Sequence, residues 1–469
     1  MSMQIFRTKH FSSNDHAEHG LKRCLSAWDL AFLGIGAIIG TGIFVLTGIA
    51  AATQSGPAVV LSFVIAGLAC AFAALSYAEL SASIGGCGSA YGYSYVAFGE
   101  LCAFIIGWDL LLEYSIAVAT VANGWSGYFC NALTAMGIPL PEALTKAPEL
   151  GGVINLPAAV IILLLMGLLI MGTKQSARAN NTMVFVKLIT IAVFIAVAAF
   201  NVQVENWQPF MPFGWFQTLP DGQTTGVLAG ASLVFFAYVG FDAVSTATEE
   251  ARDPQHGLPF GIVASLMFCT LIYILVSGLL TGVVNYTELN VSSPVAHALN
   301  LMGYHWASAL ISTGVIAGLS TVMLVLYYAL TRIIFAMSRD GLLSPFFNKV
   351  NPQTQTPVRV IILCGVIMAL IAGFIPLNEL AELVNIGTLA AFVLVCFGVI
   401  VLRITKPDMP RPFRTPFGLL FPALGVLSCA ALMAFLPSIT WLRFVIWLVI
   451  GLIVYFAYSM QHSKLADAD

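Results

Sequence analysis

Four ionisable side chains stand inside long apolar runs: Asp109 and Glu113 in "GWDLLLEYSIAV", Lys187 in "FVKLITIAVF" and Asp242 in "FFAYVGFDAV". A charge facing lipid is costly, so each such group needs a partner, water or neutrality, and each is a functional candidate by default. Asp109 and Glu113 lie four residues apart on one helix face, where like-charge tension favours a neutral form of one of them. Asp109, nearer one end of its run, reads best as a neutral, hydrogen-bonded structural group, and Glu113, nearer the centre, as a lining residue of a cavity. Lys187 is about seven residues into its run, roughly 10 Å at helical rise. Its stem could carry the ammonium back to the interface, or the ammonium could stay inside and there lose and regain a proton. Asp242 could share that proton traffic or cap the helix that follows it.

The elements that hold these groups are themselves interrupted. "GIGAIIGTGIF" (Gly34–Phe44) places Gly34, Gly36, Gly40 and Gly42 in the first apolar run, where an isolated bilayer helix should be most regular. Small residues at such spacing can form a helix-packing face. Alternatively they mark a discontinuous helix whose freed N–H and C=O groups line a binding cavity. The second reading requires a matching break elsewhere, and "GASLVFFAYVGFDAVSTATEE" supplies it at Gly240. The two lie five runs apart, so helices 1–5 (28–200) and 6–10 (224–403) are expected to be two repeats, inverted because each has an odd number of crossings. The run pair 417–461 is then accessory, between a cytoplasmic N-terminal segment (1–27) and a C-terminal tail (462–469).

Composition sets the wider frame. Of 469 residues 59% are hydrophobic and only 9% charged, too little charge to solvate a soluble fold of this length. Apolar runs long enough to cross a bilayer number about twelve: 28–53, 57–83, 96–129, 153–172, 180–200, 224–250, 259–283, 304–337, 358–375, 379–403, 417–436 and 441–461. They should be helices, because lipid cannot satisfy open backbone groups. With both termini in the cytoplasm, the 19 lysines and arginines all fall inside except Lys146 and Arg443, outside, and Lys187, within a run. The polar first 27 residues contain no apolar signal-peptide core, so none is expected to be cleaved. The nine cysteines form no CxxC pair, and no disulfide framework, metal site or cofactor is expected. All seven histidines lie outside or at the ends of runs, which argues against a histidine proton relay. No HExxH, GxSxG or Walker A pattern occurs, so the chain is not read as an enzyme or an ATP-driven pump. A net charge of -3 offers no reason to expect a nucleic-acid partner.

Several stretches together carry a resemblance. "GIGAIIGTGIFVLTG", "YAEL" followed by "GGCGSAYGYSYVAFGE", "FFAYVGFDAVSTATEEARDPQ" and "ALTRIIFAMSRDGLL" occur in this order along the chain. It is similar to the amino acid-polyamine-organocation (APC) transporter superfamily. "LLEYSIAVATVANGWSGY", the position of Lys187 and the twelve-run length resemble the bacterial members of the cationic amino acid transporter (CAT) family.

The resemblance implies an all-α membrane protein of about 12 transmembrane helices: a 5+5 inverted repeat with broken helices 1 and 6, plus two accessory helices. It also implies an amino acid substrate, which the first break suits. The N-terminus of a half-helix offers unpaired N–H groups to a carboxylate, here the amides of Thr41 and Gly42. The carbonyls of Ile38, Phe236 and Val239 suit the ammonium, Phe236 could close over it, and Gly36, Gly40 and Gly240 permit the breaks. Thr321 and Leu319 border the cavity or serve helix packing. The resemblance supports placing the Lys187 ammonium against carbonyls freed in helix 1, implying a proton-coupled or sodium-independent carrier; Lys187, with Asp242, is the candidate for proton coupling. It also implies that the glycine- and tyrosine-rich segment after helix 2 folds back toward the cytoplasmic vestibule.

The expected function is uptake of L-amino acids across the inner membrane by alternating access, with the proton as coupling ion, or exchange at the same site. If ionised, Glu113 would receive a cationic side chain. Neutral or broad-range substrates rank ahead of strictly cationic ones. A small membrane subunit is not determinable from these residues.

Overall fold

The computed structural model describes Arg7 and residues 25–84, 89–171, 177–218, 224–248, 251–351 and 356–464. Most of the N-terminal segment, the acidic pair Glu249 and Glu250, the glycines at 85–88, Lys174 and the last residues of the C-terminal tail lie outside the described residues. Eight helical stretches are apolar and at least 18 residues long, and four shorter ones are apolar as well. Divided at the turn around Pro57 and joined across the break at 39–41, they make twelve spans among the described residues.

The first span consists of Ala27–Ile38 and a second half over 42–55. The second is Val59–Ile84, the third Glu100–Ala135, the fourth Leu156–Ile170 and the fifth Ala177–Ala199. The sixth, Val227–Ala247, is interrupted at Val239 and Gly240. The seventh is Pro254–Val283, the eighth His305–Arg339, the ninth Val358–Phe374, the tenth Leu377–Thr405, the eleventh Leu420–Ala434 and the twelfth Ser438–His462.

Local chemistry explains where these spans begin. Ser26 and Asp29 form a reciprocal capping box, Ser26 N donating to Asp29 Oδ2 at 3.0 Å and Asp29 N to Ser26 Oγ at 3.3 Å. The seventh span starts five residues before the expected boundary, because Asp253 caps it and Pro254 fits its first turn. The third starts later than expected because residues before it form a separate short helix, Ser89–Ala97. That helix packs against the third and tenth spans. Its Tyr91 hydroxyl donates to Asp340 Oδ2 at 2.9 Å.

The third and eighth spans run along each other, the seventh packs on both the first and the second, and the tenth packs on the third and the eleventh. Polar ties sit among these apolar surfaces. Buried Glu79 of the second span is clasped by Arg403, by Arg411 with Nε at 3.5 Å, and by the Thr415 amide at 2.8 Å. The Asn385 amide donates to the carbonyls of Ser232 (2.7 Å) and Leu233 (3.1 Å), fixing the tenth span to the first half of the sixth. Trp108 and Trp447 stack at 4.6 Å, and each indole N–H donates to the other residue's carbonyl at 3.0 Å. Two residues at each side of 219–223 pair as a short hairpin, Gln217–Thr218 with Thr224–Thr225.

Candidate functional site

The α-helix of the first span ends at Ile38, and Ile39 is extended (φ -73°, ψ 97°) before helical winding resumes at Gly42. The sixth span tightens from α-helix into a 3-10 turn over Phe235–Tyr238, breaks at Val239 and Gly240, and continues as a 3-10 helix over Phe241–Ala247. A Cβ on Gly42 would overlap the Ala237 backbone, and one on Gly240 would stand 3.1 Å from the Ala37 carbonyl. Gly240 also has φ +114°, a conformation side chains rarely adopt. The paired positions, 37 with 240 and 42 with 237, run in opposite chain directions, so the two breaks lie antiparallel and in contact. These two glycines are needed for that approach.

A small cavity lies beside the paired breaks. Ile38, Thr41, Gly42, Phe236 and Val239, five of the residues offered as substrate contacts, line it together with the break glycine Gly40. Opposite them the lining comes from Ala117 and Val121 of the third span and Val322 and Leu326 of the eighth. Among the described residues no charged side chain lines it, and Thr41 contributes the one side-chain hydroxyl, which is fully buried and makes no hydrogen bond. Backbone groups released at the breaks therefore supply most of its polarity.

The ionisable residues stand around this cavity rather than in it. Lys187 does not reach back to the interface: Nζ donates to the Gly36 carbonyl at 2.8 Å and the Ile39 carbonyl at 3.1 Å. Its stem runs against Gly318 of the eighth span, where a Cβ would stand 2.8 Å from Lys187 Cε. One ammonium thus joins the fifth span to the break in the first. Glu113 is buried but is not a lining residue; the cavity meets the third span one and two turns further on, at Ala117 and Val121. Asp242 is buried at the start of the second half of the sixth span and accepts from the Tyr114 hydroxyl at 3.0 Å. Asp109 is buried beside Gly387 of the tenth span, with Oδ1 unpartnered.

On the eighth span Thr321 and Leu319 are not lining residues; Thr321 bonds back to the Gly318 carbonyl at 2.7 Å. Val322 and Leu326, the residues that do line the cavity, are ordinary apolar residues of a membrane helix, and nothing in the sequence separates them from lipid-facing neighbours. Tyr273 of the seventh span also serves the breaks without a local sequence pattern to mark it: its hydroxyl lies 2.9 Å from the carbonyls of both Ile38 and Ala237. A lone buried tyrosine in "TLIYILVSG" was the available signal.

The chain is similar to known sequences over nearly its whole length. The amino acid permease family profile matches residues 25–458. A methylthioribose transporter of Bacillus subtilis is 51% identical over 98% of this chain and 99% of its own length. The branched-chain amino acid permease BcaP of the same organism is 49% identical over 99% of this chain and 100% of its own. The vacuolar cationic amino acid transporter 4 of Arabidopsis thaliana is 38% identical, over 85% of this chain and 66% of its own length. With two interrupted spans meeting at a midspan cavity and a profile match covering nearly its whole length, the chain belongs to the amino acid permease family of the APC transporter superfamily.

Proposed function

We propose that this protein is a secondary active importer of neutral, chiefly aliphatic L-amino acids, driven by protons, independent of sodium and working by alternating access. One observation carries the reading: the cavity between the two breaks combines released backbone groups with apolar side chains and no charged one. The amides beginning the second half of the first span suit a carboxylate, and carbonyls ending the half-helices suit an ammonium. Ala117, Val121, Val322 and Leu326 suit an aliphatic side chain, and their apolarity disfavours a cationic one. Glu113, outside the lining, is not needed for side-chain recognition and instead belongs to the buried polar layer with Asp242.

The Lys187 ammonium already sits on two carbonyls freed in the first span, which supports a carrier with no sodium requirement and makes Lys187 the candidate proton carrier. Asp242 would join it in that role. Spans 1–5 and 6–10 act as inverted halves in the cytoplasmic membrane, with both termini inside, as the distribution of lysine and arginine supports. The relative named as a methylthioribose transporter makes that thioether sugar a necessary competitor in any test.

Uptake of labelled leucine into proteoliposomes tests the reading. Accumulation under an inward proton gradient, saturable and unaffected by sodium, supports it. Trans-stimulation with no accumulation would replace symport by exchange. Inhibition by methylthioribose but by no neutral amino acid would remove the amino acid assignment.

A further inference from the structure

Between Glu205 and Asp221 the sequence has fifteen residues, none charged and five aromatic: Trp207, Phe210, Phe213, Trp215 and Phe216. The loop joining the third and fourth spans, by contrast, carries Glu142, Lys146 and Glu149. The uncharged segment is fastened along its course to one span after another. The Trp207 ring lies on Gly282 of the seventh span, and its indole N–H donates to the Gly278 carbonyl at 3.2 Å. The Phe210 carbonyl accepts from Ala58 N at 3.0 Å, at the turn between the first and second spans, where Pro212 packs on Gly56. The carbonyls of Gly214 and Trp215 accept from the first two amides of the sixth span, Val227 and Leu228, each at 3.1 Å. Such leading amides have no acceptor within their own helix. Phe216 then meets Phe435 at the end of the eleventh span, with ring centroids 6.3 Å apart.

The segment therefore follows the rim of the molecule from the fifth span past the seventh and second to the eleventh. Each of these spans has exposed apolar side chains along its length, Ile189, Leu271, Leu68 and Leu427 among them, as a lipid-facing helix does. The span ends it meets lie at one membrane face, the outer one on the orientation proposed above. Three of its rings are left uncovered: Phe210 is 45% exposed, Trp215 55% and Phe216 63%. Aromatic rings, and tryptophan with its one polar edge above all, settle at the headgroup level of a bilayer.

We propose that residues 207–216 are a lipid-docking strap: Phe210, Trp215 and Phe216 enter the phospholipid headgroup layer at that face. The strap holds the far end of the first span through Phe210 and the start of the sixth through Gly214 and Trp215. It thereby fastens the outward halves of both interrupted spans to the bilayer surface. With no charged residue of its own, it recognises the interfacial layer and not a particular headgroup charge.

The test compares wild type and Trp215→Phe in lipid nanodiscs, where the difference in emission isolates Trp215 from the other tryptophans. Phosphatidylcholine brominated near the headgroup end of its acyl chain should quench this difference about threefold more than lipid brominated near the methyl end, and aqueous iodide should quench it little. Replacing part of the phosphatidylcholine by phosphatidylglycerol should leave the pattern unchanged. Quenching by iodide and not by brominated lipid overturns the proposal in favour of a solvated loop, and quenching by neither overturns it in favour of a surface covered by another protein chain. Should Trp215→Phe fail to accumulate, Phe216→Trp is compared with wild type in the same way. The quenching involves no substrate, so it stands or falls separately from the amino acid reading of the cavity.

The fastening role has its own readout. Phe210→Ser with Phe216→Ser removes two rings and none of the backbone donors or acceptors. Maximal leucine uptake in liposomes should fall about fivefold, with leucine affinity in detergent within about twofold of wild type. Uptake equal to wild type, or an equal loss of affinity in detergent, overturns that role.

Discussion

Replacing Lys187 by methionine keeps a long unbranched stem against Gly318 and deletes only the ammonium. The structure gives the ammonium two carbonyl partners, at 2.8 and 3.1 Å, and among the described residues no carboxylate pairs with it. Two hydrogen bonds from a charged donor contribute about 1.5–3 kcal/mol each, so roughly 3–6 kcal/mol are lost. Against this, an ion in an apolar interior carries a desolvation penalty of several kcal/mol, which the substitution relieves. The two quantities are of the same size. Lys187→Met should therefore fold, with a stability change within about 2 kcal/mol, while losing the group that can carry the proton.

For one proton per substrate, a gradient of one pH unit supplies about 1.4 kcal/mol and drives about tenfold accumulation. In proteoliposomes wild type should approach that ratio. Lys187→Met should level off near equal concentrations on both sides, yet still exchange labelled for unlabelled leucine in counterflow. Gradient-driven accumulation equal to wild type would refute the assignment of coupling to Lys187. Loss of both accumulation and counterflow, with the protein still folded, would show that the lysine organises the site rather than couples it.

Other outcomes follow from particular contacts. Gly42→Ala forces a methyl group onto the Ala237 backbone, which cannot yield as a side chain would. An overpacking cost of about 1–3 kcal/mol should raise the leucine KM between about fivefold and a hundredfold, read from uptake kinetics. Ala117→Phe places a ring where an aliphatic side chain would bind, and should abolish competition by leucine, isoleucine and valine while sparing glycine and alanine. Glu79→Gln leaves Arg403 and Arg411 facing a neutral amide. Because Arg403 keeps some contact with solvent, the loss should fall near 3 kcal/mol, the low end for a broken buried pair, and lower the melting temperature in detergent.

The sequence alone determined the class of the molecule, the positions of its spans to within a few residues and the places where two of them break. Each of these follows from properties of neighbouring residues: apolar run length against bilayer thickness, and the loss of helical regularity near Gly40 and Gly240, whereas Gly36, expected at the break, lies inside the α-helix Ala27–Ile38. It also pointed to Ile38, Thr41, Gly42, Phe236 and Val239, which line the cavity, because residues at a break are close to one another in the chain.

What depended on packing between distant spans was decided only by the tertiary structure. The Lys187 stem could have reached the interface or the break, and the position of Gly36 and Ile39 against the fifth span settles this. Glu113 shares a helix face with Ala117 and Val121, but it lies a turn before them along the axis, and the level at which the first and eighth spans leave the cavity brings only the latter two to it. Tyr273 lies 235 residues from Ile38 and 36 from Ala237, and no local pattern reports that one hydroxyl serves both. Periodicity names the faces of a helix in water by their polarity. In a membrane span both faces are apolar, so the choice between lipid and cavity is left to the neighbouring helices.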